Sequence, residues 1–308
     1  MKLLLAAANE GNANAQNALG DIFVGTELQE RDVTEAIKWY GLAAEQGHLE
    51  AQYSLARILA HDPQVLDEQV ALKWFRQAAE QGHAGAQYRL AQMHETAKDL
   101  PKDFEEAINW YRLSANQGNV QAQYKTALML RQGLGVQQDL AEAADYFYLS
   151  AEQGNAEARY HLGLMFYEGS GVSQDFERAA HYYLLAARQD HAGAQYNLAQ
   201  MHRQGEGGLR PNREMRKWYE LAARKGLVQA QFNLGMICYM EDPQDAASAF
   251  MWWVIAASGG DAVAAKNLGL LKNDISPEDR ARGMERASGW VEKFGGHSAL
   301  DEFSNRLD

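Results

Sequence analysis

The chain has 308 residues, of which 46% are hydrophobic and 23% are charged, a composition typical of a folded soluble protein. Its 41 acidic and 29 basic residues give a net charge of −12, which disfavours binding to nucleic acid or anionic lipid because both need clustered lysine and arginine. Cys238 is the single cysteine, so no disulfide forms within the chain, and no apolar run reaches the roughly 18 residues that a membrane helix needs.

The first predicted element is a short helix in the segment Met1–Ala8. This segment superficially resembles a signal peptide, but its apolar part is short and Asn9-Glu10-Gly11 follows at once. We interpret it as the end of a repeated helix whose front half is absent, consistent with a fragment of a longer protein or with an exposed docking face. The sequence leaves the compartment open: cytoplasmic, or periplasmic or secreted if an upstream signal was removed.

A short glycine motif then recurs along the chain and predicts a repeat protein. Segments such as Ala43-Ala44-Glu45-Gln46-Gly47 and Ala78-Ala79-Glu80-Gln81-Gly82 return with periods of 36, 35, 36, 36, 36, 36 and 34 residues. The marker residues of the eight copies are Gly11, Gly47, Gly82, Gly118, Gly154, Asp190, Gly226 and Gly260.

Three further sets of equivalent positions, which we call columns, recur with the same period as this marker. A large side chain lies eight residues before it, at Leu3, Trp39, Trp74, Trp110, Tyr146, Tyr182, Trp218 and Trp252. An aromatic lies six residues after it, at Tyr53, Tyr88, Tyr124, Tyr160, Tyr196 and Phe232, which we call the tyrosine column. An aspartate lies fifteen residues before it, at Asp32, Asp67, Asp103, Asp139, Asp175 and Asp245.

Each column has a physical role in a pair of helices. The aspartate precedes an apolar-periodic stretch and is predicted to be an N-cap. Glutamate follows three residues later at Glu35, Glu106 and Glu142, which is the spacing of a capping box. The marker glycine lies where a helix ends in a left-handed residue, and Asp190 can adopt that conformation less readily.

One unit therefore consists of helix A, a loop, helix B and a tight turn. In the unit that ends at Gly82, helix A is predicted near Glu50–Ala60 and helix B near Glu68–Gln81. Such a pair cannot bury its apolar side alone, so neighbouring pairs must stack to complete the interior.

The repeat pattern weakens near the end of the chain. Ser276 and Pro277 have the character of an N-cap and a first helical residue, which predicts a helix through about Phe294. We therefore divide the chain into a repeat array at residues 1–273, starting with half a repeat, and a C-terminal helical cap at residues 274–308 that ends in a short helix or a tail.

The motifs resemble the Sel-1-like repeat, a relative of the tetratricopeptide repeat. Ala158-Arg159-Tyr160-His161-Leu162-Gly163, then Gly169-Ser170-Gly171-Val172 and Asp175, follow that repeat almost throughout. The resemblance implies an all-α superhelical solenoid of about seven two-helix repeats. It also implies a protein–protein interaction scaffold or adaptor that binds a peptide or protein partner in its concave groove.

In tetratricopeptide-like stacking the groove is lined by certain positions of helix A. Carried onto this sequence, they are the tyrosine column and the positions four and seven residues further on. We call the resulting residues the helix A face. Its predicted partner-binding members are Tyr53, Arg57, Tyr88, Gln92, Tyr124, Arg131, Tyr160, Tyr167, Tyr196, Gln200, Arg203, Phe232 and Tyr239.

Other interpretations compete with partner binding. The tyrosine column could simply pack between neighbouring helices, and groove aromatics could instead stack on a carbohydrate or a cell-wall fragment. Hydrolytic activity is a weaker alternative, because no catalytic constellation is present. His48, His83 and His191 share one repeat column and lie too far apart to share a metal ion, so we predict no cofactor and no metal. Cys238 is predicted to be a packed core thiol.

Overall fold

The computed structural model describes residues 1–25, 32–96, 102–211, 213–241 and 245–295, with Glu241 described by its backbone alone. These residues form 17 α-helices and none of them lies in a β-strand, which confirms the predicted all-α solenoid of two-helix repeats. None of the described helices combines the length and the apolar character that crossing a bilayer requires. The chain divides into two compact units, Met1–Gln153 and Gly154–Asp308.

The first unit contains nine of the described helices. Consecutive helices of this unit pack against each other, from α1 and α2 to α8 and α9. Helices A are α2, α4, α6 and α8 in the following list, and helices B are α3, α5, α7 and α9. The bounds are α1 Lys2–Asn9, α2 Ala13–Val24, α3 Val33–Glu45, α4 Leu49–His61, α5 Glu68–Glu80, α6 Ala84–Thr96, α7 Phe104–Asn116, α8 Val120–Gln132 and α9 Leu140–Glu152.

The second unit contains the remaining eight. Helices A are α10, α12, α14 and α16, helices B are α11, α13 and α15, and α17 follows the last helix A. The bounds are α10 Ala156–Glu168, α11 Phe176–Ala187, α12 Ala192–Gln204, α13 Arg213–Arg224, α14 Val228–Glu241, α15 Ala246–Ser258, α16 Ala262–Asp274 and α17 Pro277–Phe294.

The predicted aspartate N-caps are confirmed. In all six copies the carboxylate accepts a hydrogen bond from the backbone N–H three residues later, which satisfies a donor of the first turn. The predicted capping box is wrong. Glu35 accepts from the indole N–H of Trp39 at 3.0 Å, while the backbone N–H of Asp32 donates to the carbonyl of Phe23 at 2.9 Å. Glu106 accepts from Trp110 in the same way, at 2.8 Å.

Glycines in the loop between helix A and helix B bring neighbouring repeats into close contact. Gly135, between α8 and α9, has a φ of +68°. A Cβ atom at this position would lie 2.1 Å from the carbonyl oxygen of Phe104, the first residue of α7. The loop therefore packs directly on the start of the preceding helix B, and only glycine fits there.

The interior of each unit is built from small residues around a few large rings. In the first unit, alanines such as Ala43, Ala78 and Ala115 are almost fully buried, so adjacent helices approach closely. Phe75, Tyr111 and Phe147 fill the interior at successive helices B, each with no more than 1% of its surface exposed. Burial is spread along the array, as the repeat pattern predicts.

Helix α15 of the second unit is covered on nearly every side. Ten of the thirteen residues of α15 are buried, because α14, α16 and α17 all pack against it. Helix α17 contributes Ala287, which is fully buried, and Trp290, whose ring lies 4.6 Å from that of Trp252. Arg286 of α17 also pairs with the N-cap carboxylate of α15, Asp245, at 2.9 Å. The hydrogen bond from Ser248 and the pairing with Arg286 lower the pKa of Asp245.

Helix α17 begins where the sequence predicts a helix. Ser276 is its N-cap and Pro277 its first residue, as predicted. The division into an array at residues 1–273 and a cap at residues 274–308 stays a prediction. The short helix or tail predicted at its end lies in residues 296–308, outside the described residues.

A ladder of buried glutamines joins the helices of the first unit. In each helix A, a glutamine directly before the tyrosine column position donates its amide to the carbonyl of an alanine eight residues earlier, at 3.0–3.3 Å. Its side-chain oxygen accepts from a glutamine in the turn after the next helix B, at 2.7–2.8 Å. The acceptors are Gln16, Gln52, Gln87 and Gln123, and the donors are Gln46, Gln81, Gln117 and Gln153.

The second unit leaves two rungs of this ladder incomplete. Gln195 and Gln231 still donate to the carbonyls of Ala187 and Ala223, at 3.1 and 3.3 Å. Their side-chain oxygens, however, are buried and lack a partner among the described residues. Lys225 occupies the turn position that would supply the donor to Gln195.

We expect the substitution Lys225→Gln to raise the free energy of unfolding by about 1 kcal/mol, because it gives the buried oxygen of Gln195 its missing hydrogen bond. Urea denaturation followed by circular dichroism measures the change. The matched variant Gln81→Lys removes the amide that donates to the side-chain oxygen of Gln52. It should lower the free energy of unfolding by about 1–2 kcal/mol. The prediction would be contradicted if Lys225→Gln left the free energy of unfolding unchanged while Gln81→Lys lowered it.

Candidate functional site

The tyrosine column of the first unit lies between neighbouring helices. Tyr53, Tyr88 and Tyr124 are half-buried, and each ring packs on an aromatic of the helix B that follows it. The centroid distances are 6.1 Å for Tyr53–Phe75, 5.7 Å for Tyr88–Tyr111 and 6.1 Å for Tyr124–Phe147. The helices therefore fix the orientation of these rings, while part of each ring remains exposed.

The second unit repeats this arrangement. Tyr160 packs on Tyr183 at 6.1 Å and Tyr196 packs on Tyr219 at 5.9 Å, while Phe232 is half-buried in the cluster around α15. Tyr160 also stacks on His191 of the next repeat at 4.3 Å. The column thus does pack between helices, as the competing interpretation states, and Tyr160, Tyr196 and Phe232 keep part of their rings exposed.

The other predicted residues of the first unit surround these rings with polar groups. Arg57 is exposed, and its guanidinium lies 5.7 Å from the Tyr53 ring centroid. Gln92 accepts a hydrogen bond from Arg89 at 3.0 Å, and Arg131 is half-buried at the end of α8. A cavity of about 240 Å³ opens beside Arg57, with Tyr40 in its wall.

In the second unit the predicted residues are more aromatic. Gln200 donates to the hydroxyl of Tyr196 at 3.2 Å and accepts from the hydroxyl of Tyr219. Tyr167 is half-buried and Arg203 is exposed. Tyr239 is 48% exposed, although its ring centroid lies 5.6 Å from that of the buried Trp253.

Buried tyrosines of helix B donate hydrogen bonds to acidic side chains of helix A, which the sequence reasoning missed. The hydroxyl of Tyr40 donates to Asp21 at 2.7 Å, and that of Tyr111 donates to Glu95 at 2.6 Å. Burial raises the pKa of both tyrosines, and the hydrogen bond to the carboxylate raises it further, so both hydroxyls stay protonated as donors. Their sequence signal was a column seven residues before the marker, which alternates between tyrosine and phenylalanine in this unit.

Glu95 connects this network to the next repeat. Besides the Tyr111 hydroxyl, it accepts from the ammonium of Lys125 at 3.0 Å. Lys125 belongs to α8 and Glu95 to α6, so the pair joins consecutive helices A. These bonds fix polar side chains of α6 and α8 against α7.

The histidines of the shared column have a structural role. The Nδ1 atoms of His48, His83 and His191 accept the backbone N–H of the residue three positions on, at 3.0–3.2 Å, so these residues are N-caps of helices A. In the described parts of the chain, no three His, Cys, Asp or Glu side chains are arranged to hold a metal ion. Cys238 is buried, as predicted for a core thiol.

Comparison with known proteins identifies the repeat. The family model described as the Sel1 repeat matches seven consecutive segments of the chain. They are residues 13–48, 49–83, 84–119, 120–155, 156–191, 192–227 and 228–261. No curated protein matches the chain.

Two solved structures are similar to this chain over its whole length. One is c5321, a protective antigen present in uropathogenic Escherichia coli strains displaying an SLR fold. It is 26% identical with a TM-score of 0.84, and the match covers 100% of this chain and 71% of that one. The other is a Sel1 repeat protein from Oxalobacter formigenes, 28% identical with a TM-score of 0.70, covering 100% of this chain and 91% of that one.

Proteins built from such repeats generally mediate protein–protein interaction, and their fold is typically a non-catalytic scaffold. The regular period, the helix pairs and the two full-length structural matches agree with the seven matched segments. The chain belongs to the Sel1 repeat family.

Proposed function

We propose that this protein is a non-catalytic scaffold that binds a peptide or protein partner on its helix A face. The observation that supports this most is the preformed character of that surface. Rings of the tyrosine column are held by helix B, and arginines lie beside them. Binding to such a surface orders few side chains, so little conformational entropy is lost.

The residue types of the helix A face also favour a protein partner. Tyrosine and arginine are enriched among residues that dominate binding energy at interfaces. The cavity of about 240 Å³ beside Arg57 is of a size to receive a single side chain of a partner. The net charge of −12 argues against nucleic acid as the ligand.

The test is a combined substitution of Tyr124, Arg131, Tyr160 and Arg203 by alanine. We expect helicity to be retained and partner affinity to fall more than about 30-fold, since a single hot-spot residue contributes about 2 kcal/mol. An affinity pull-down from the source cell identifies one stoichiometric partner, and titration with that purified partner measures the affinity.

The control replaces exposed residues of helices B. Arg76→Ala and Tyr148→Ala remove the same residue types from outside the helix A face and should leave affinity unchanged. Full capture of the partner by the fourfold variant would overturn the proposal. Binding to glycans without capture of any protein would instead favour carbohydrate recognition.

A further inference from the structure

A second cavity of the first unit lies away from the helix A face. It has a volume of about 480 Å³ and opens between the end of α3 and helix α5. The side chains that matter for its chemistry are Glu45, Gln52, Trp74, Gln77, Glu80 and Gln81. None of them belongs to the predicted partner-binding set. Its size is within the range of pockets that bind small ligands or single side chains.

The sequence departs from its own repeat at this cavity. Five residues before the marker, the other three helices B of the first unit carry leucine, at Leu42, Leu113 and Leu149, whereas α5 carries Gln77. Those leucines are 40–47% exposed, so the same position here presents an amide to solvent in place of an apolar side chain.

The tryptophan of this copy is also different. The indole N–H groups of Trp39 and Trp110 donate to a glutamate four residues earlier. Val70 occupies that place before Trp74, and valine accepts no hydrogen bond. Trp74 therefore lacks the neighbouring glutamate that accepts a hydrogen bond from Trp39 and from Trp110.

The charged side chains that line the cavity are both carboxylates. Glu45 and Glu80 are exposed, and among the described residues none of the side chains that line the cavity is basic. Gln52 and Gln81 each donate one amide N–H within the glutamine ladder.

These features fit a planar cation that donates several hydrogen bonds. A guanidinium has five N–H donors, pairs with carboxylates and stacks on aromatic rings. Residues Met1–Gln153 include 21 acidic and 12 basic side chains, so the field of this unit attracts a positively charged partner. We infer that this cavity binds the side chain of an arginine presented by a partner protein.

The test uses Nα-acetyl-arginine-methylamide as the probe and the intact protein. Its seven tryptophans give seven indole signals in a ¹H–¹⁵N spectrum, and the variant Trp74→Phe assigns the signal of Trp74. We expect the probe to shift that signal saturably at low salt. The uncharged isostere Nα-acetyl-citrulline-methylamide should leave it in place.

Two variants locate the binding groups. Gln77→Leu restores the residue of the neighbouring repeats and Glu80→Gln removes one carboxylate, and each should weaken binding about fivefold or more, as expected for one lost charge-assisted or polar contact. Glu68→Gln, on the same helix and outside the cavity, should bind as the parent protein does.

Three outcomes would overturn the inference: no saturable shift of the Trp74 signal, an equal shift with the citrulline probe, or binding that survives both variants. A shift produced by a neutral disaccharide and not by the arginine probe would assign the cavity to a polyhydroxylated ligand instead. Because the cavity shares no residue with the predicted partner-binding set, each of these results leaves the proposal for the helix A face unaffected.

Discussion

Replacing Gly135 by alanine is expected to lower the free energy of unfolding by about 2–5 kcal/mol. Two costs combine at this position. The residue has a φ of +68°, a left-handed conformation that costs an L-amino acid about 1–2 kcal/mol. The new Cβ would also lie 2.1 Å from the Phe104 carbonyl oxygen, so the backbone of α7 would have to move, at about 1–3 kcal/mol for overpacking.

The variant Gly118→Ala separates these two costs. Gly118 has a φ of +87°, but an added Cβ would meet no atom within 4 Å. Its substitution should therefore cost only the conformational part, about 1–2 kcal/mol. Urea denaturation of both variants and the parent measures the difference. Equal losses for Gly118→Ala and Gly135→Ala would show that the loop does not press on the preceding helix B.

Truncation of Phe147 to alanine is expected to lower the free energy of unfolding by about 3–5 kcal/mol. This ring is completely buried in α9 and packs on Tyr124 of the helix A before it. Its removal leaves a cavity between the two helices, and the surrounding alanines are too small to fill it. The loss should also free the Tyr124 ring, which tyrosine-selective ¹³C labelling can detect as increased side-chain mobility.

Leu149, two residues further along the same helix, is the matched control. It is 47% exposed, so Leu149→Ala removes little buried area and should change stability by less than about 1 kcal/mol. Both variants are compared in urea with far-ultraviolet circular dichroism. A small loss for Phe147→Ala would mean that the repeats rearrange to close the gap, which close packing of the interior opposes.

The architecture was predictable because its determinants are local and recur in every copy. Asp67 caps a helix through a hydrogen bond to a backbone N–H only three residues away, and Gly82 ends the next turn with its own φ angle. Both effects depend only on residues close in sequence, so a single repeat is enough to predict where its helices begin and end. The predicted bounds of this pair, Glu50–Ala60 and Glu68–Gln81, differ from α4 and α5 by one residue at most.

Contacts between repeats were less accessible to sequence reasoning. The glutamate three residues after the aspartate has two candidate partners, the N-cap backbone N–H and the Trp39 indole. The backbone N–H is taken by the Phe23 carbonyl of another helix, which the local spacing does not show. The bond from Gln81 to Gln52 spans 29 residues and was missed for the same reason.

The helix A face was only partly predictable. The three-residue and four-residue spacings of a helix correctly group Tyr53 with Arg57, which lie side by side in the structure. The hydroxyl of the buried Tyr111 on helix B donates to Glu95 on helix A, which the sequence reasoning did not predict. Because Tyr111 belongs to helix B, the periodic pattern of helix A does not reveal its contact with Glu95.

The glutamine ladder of the first unit has a consequence for how such a chain can change in length. Every hydrogen bond in the ladder joins residues of the same repeat or of adjacent repeats, so none of them depends on the total number of repeats. Duplication of residues 84–119 in the gene would insert a further Gln87 and Gln117 that complete each other, together with their alanine carbonyl. Growth by tandem duplication therefore preserves every buried amide bond without any compensating mutation.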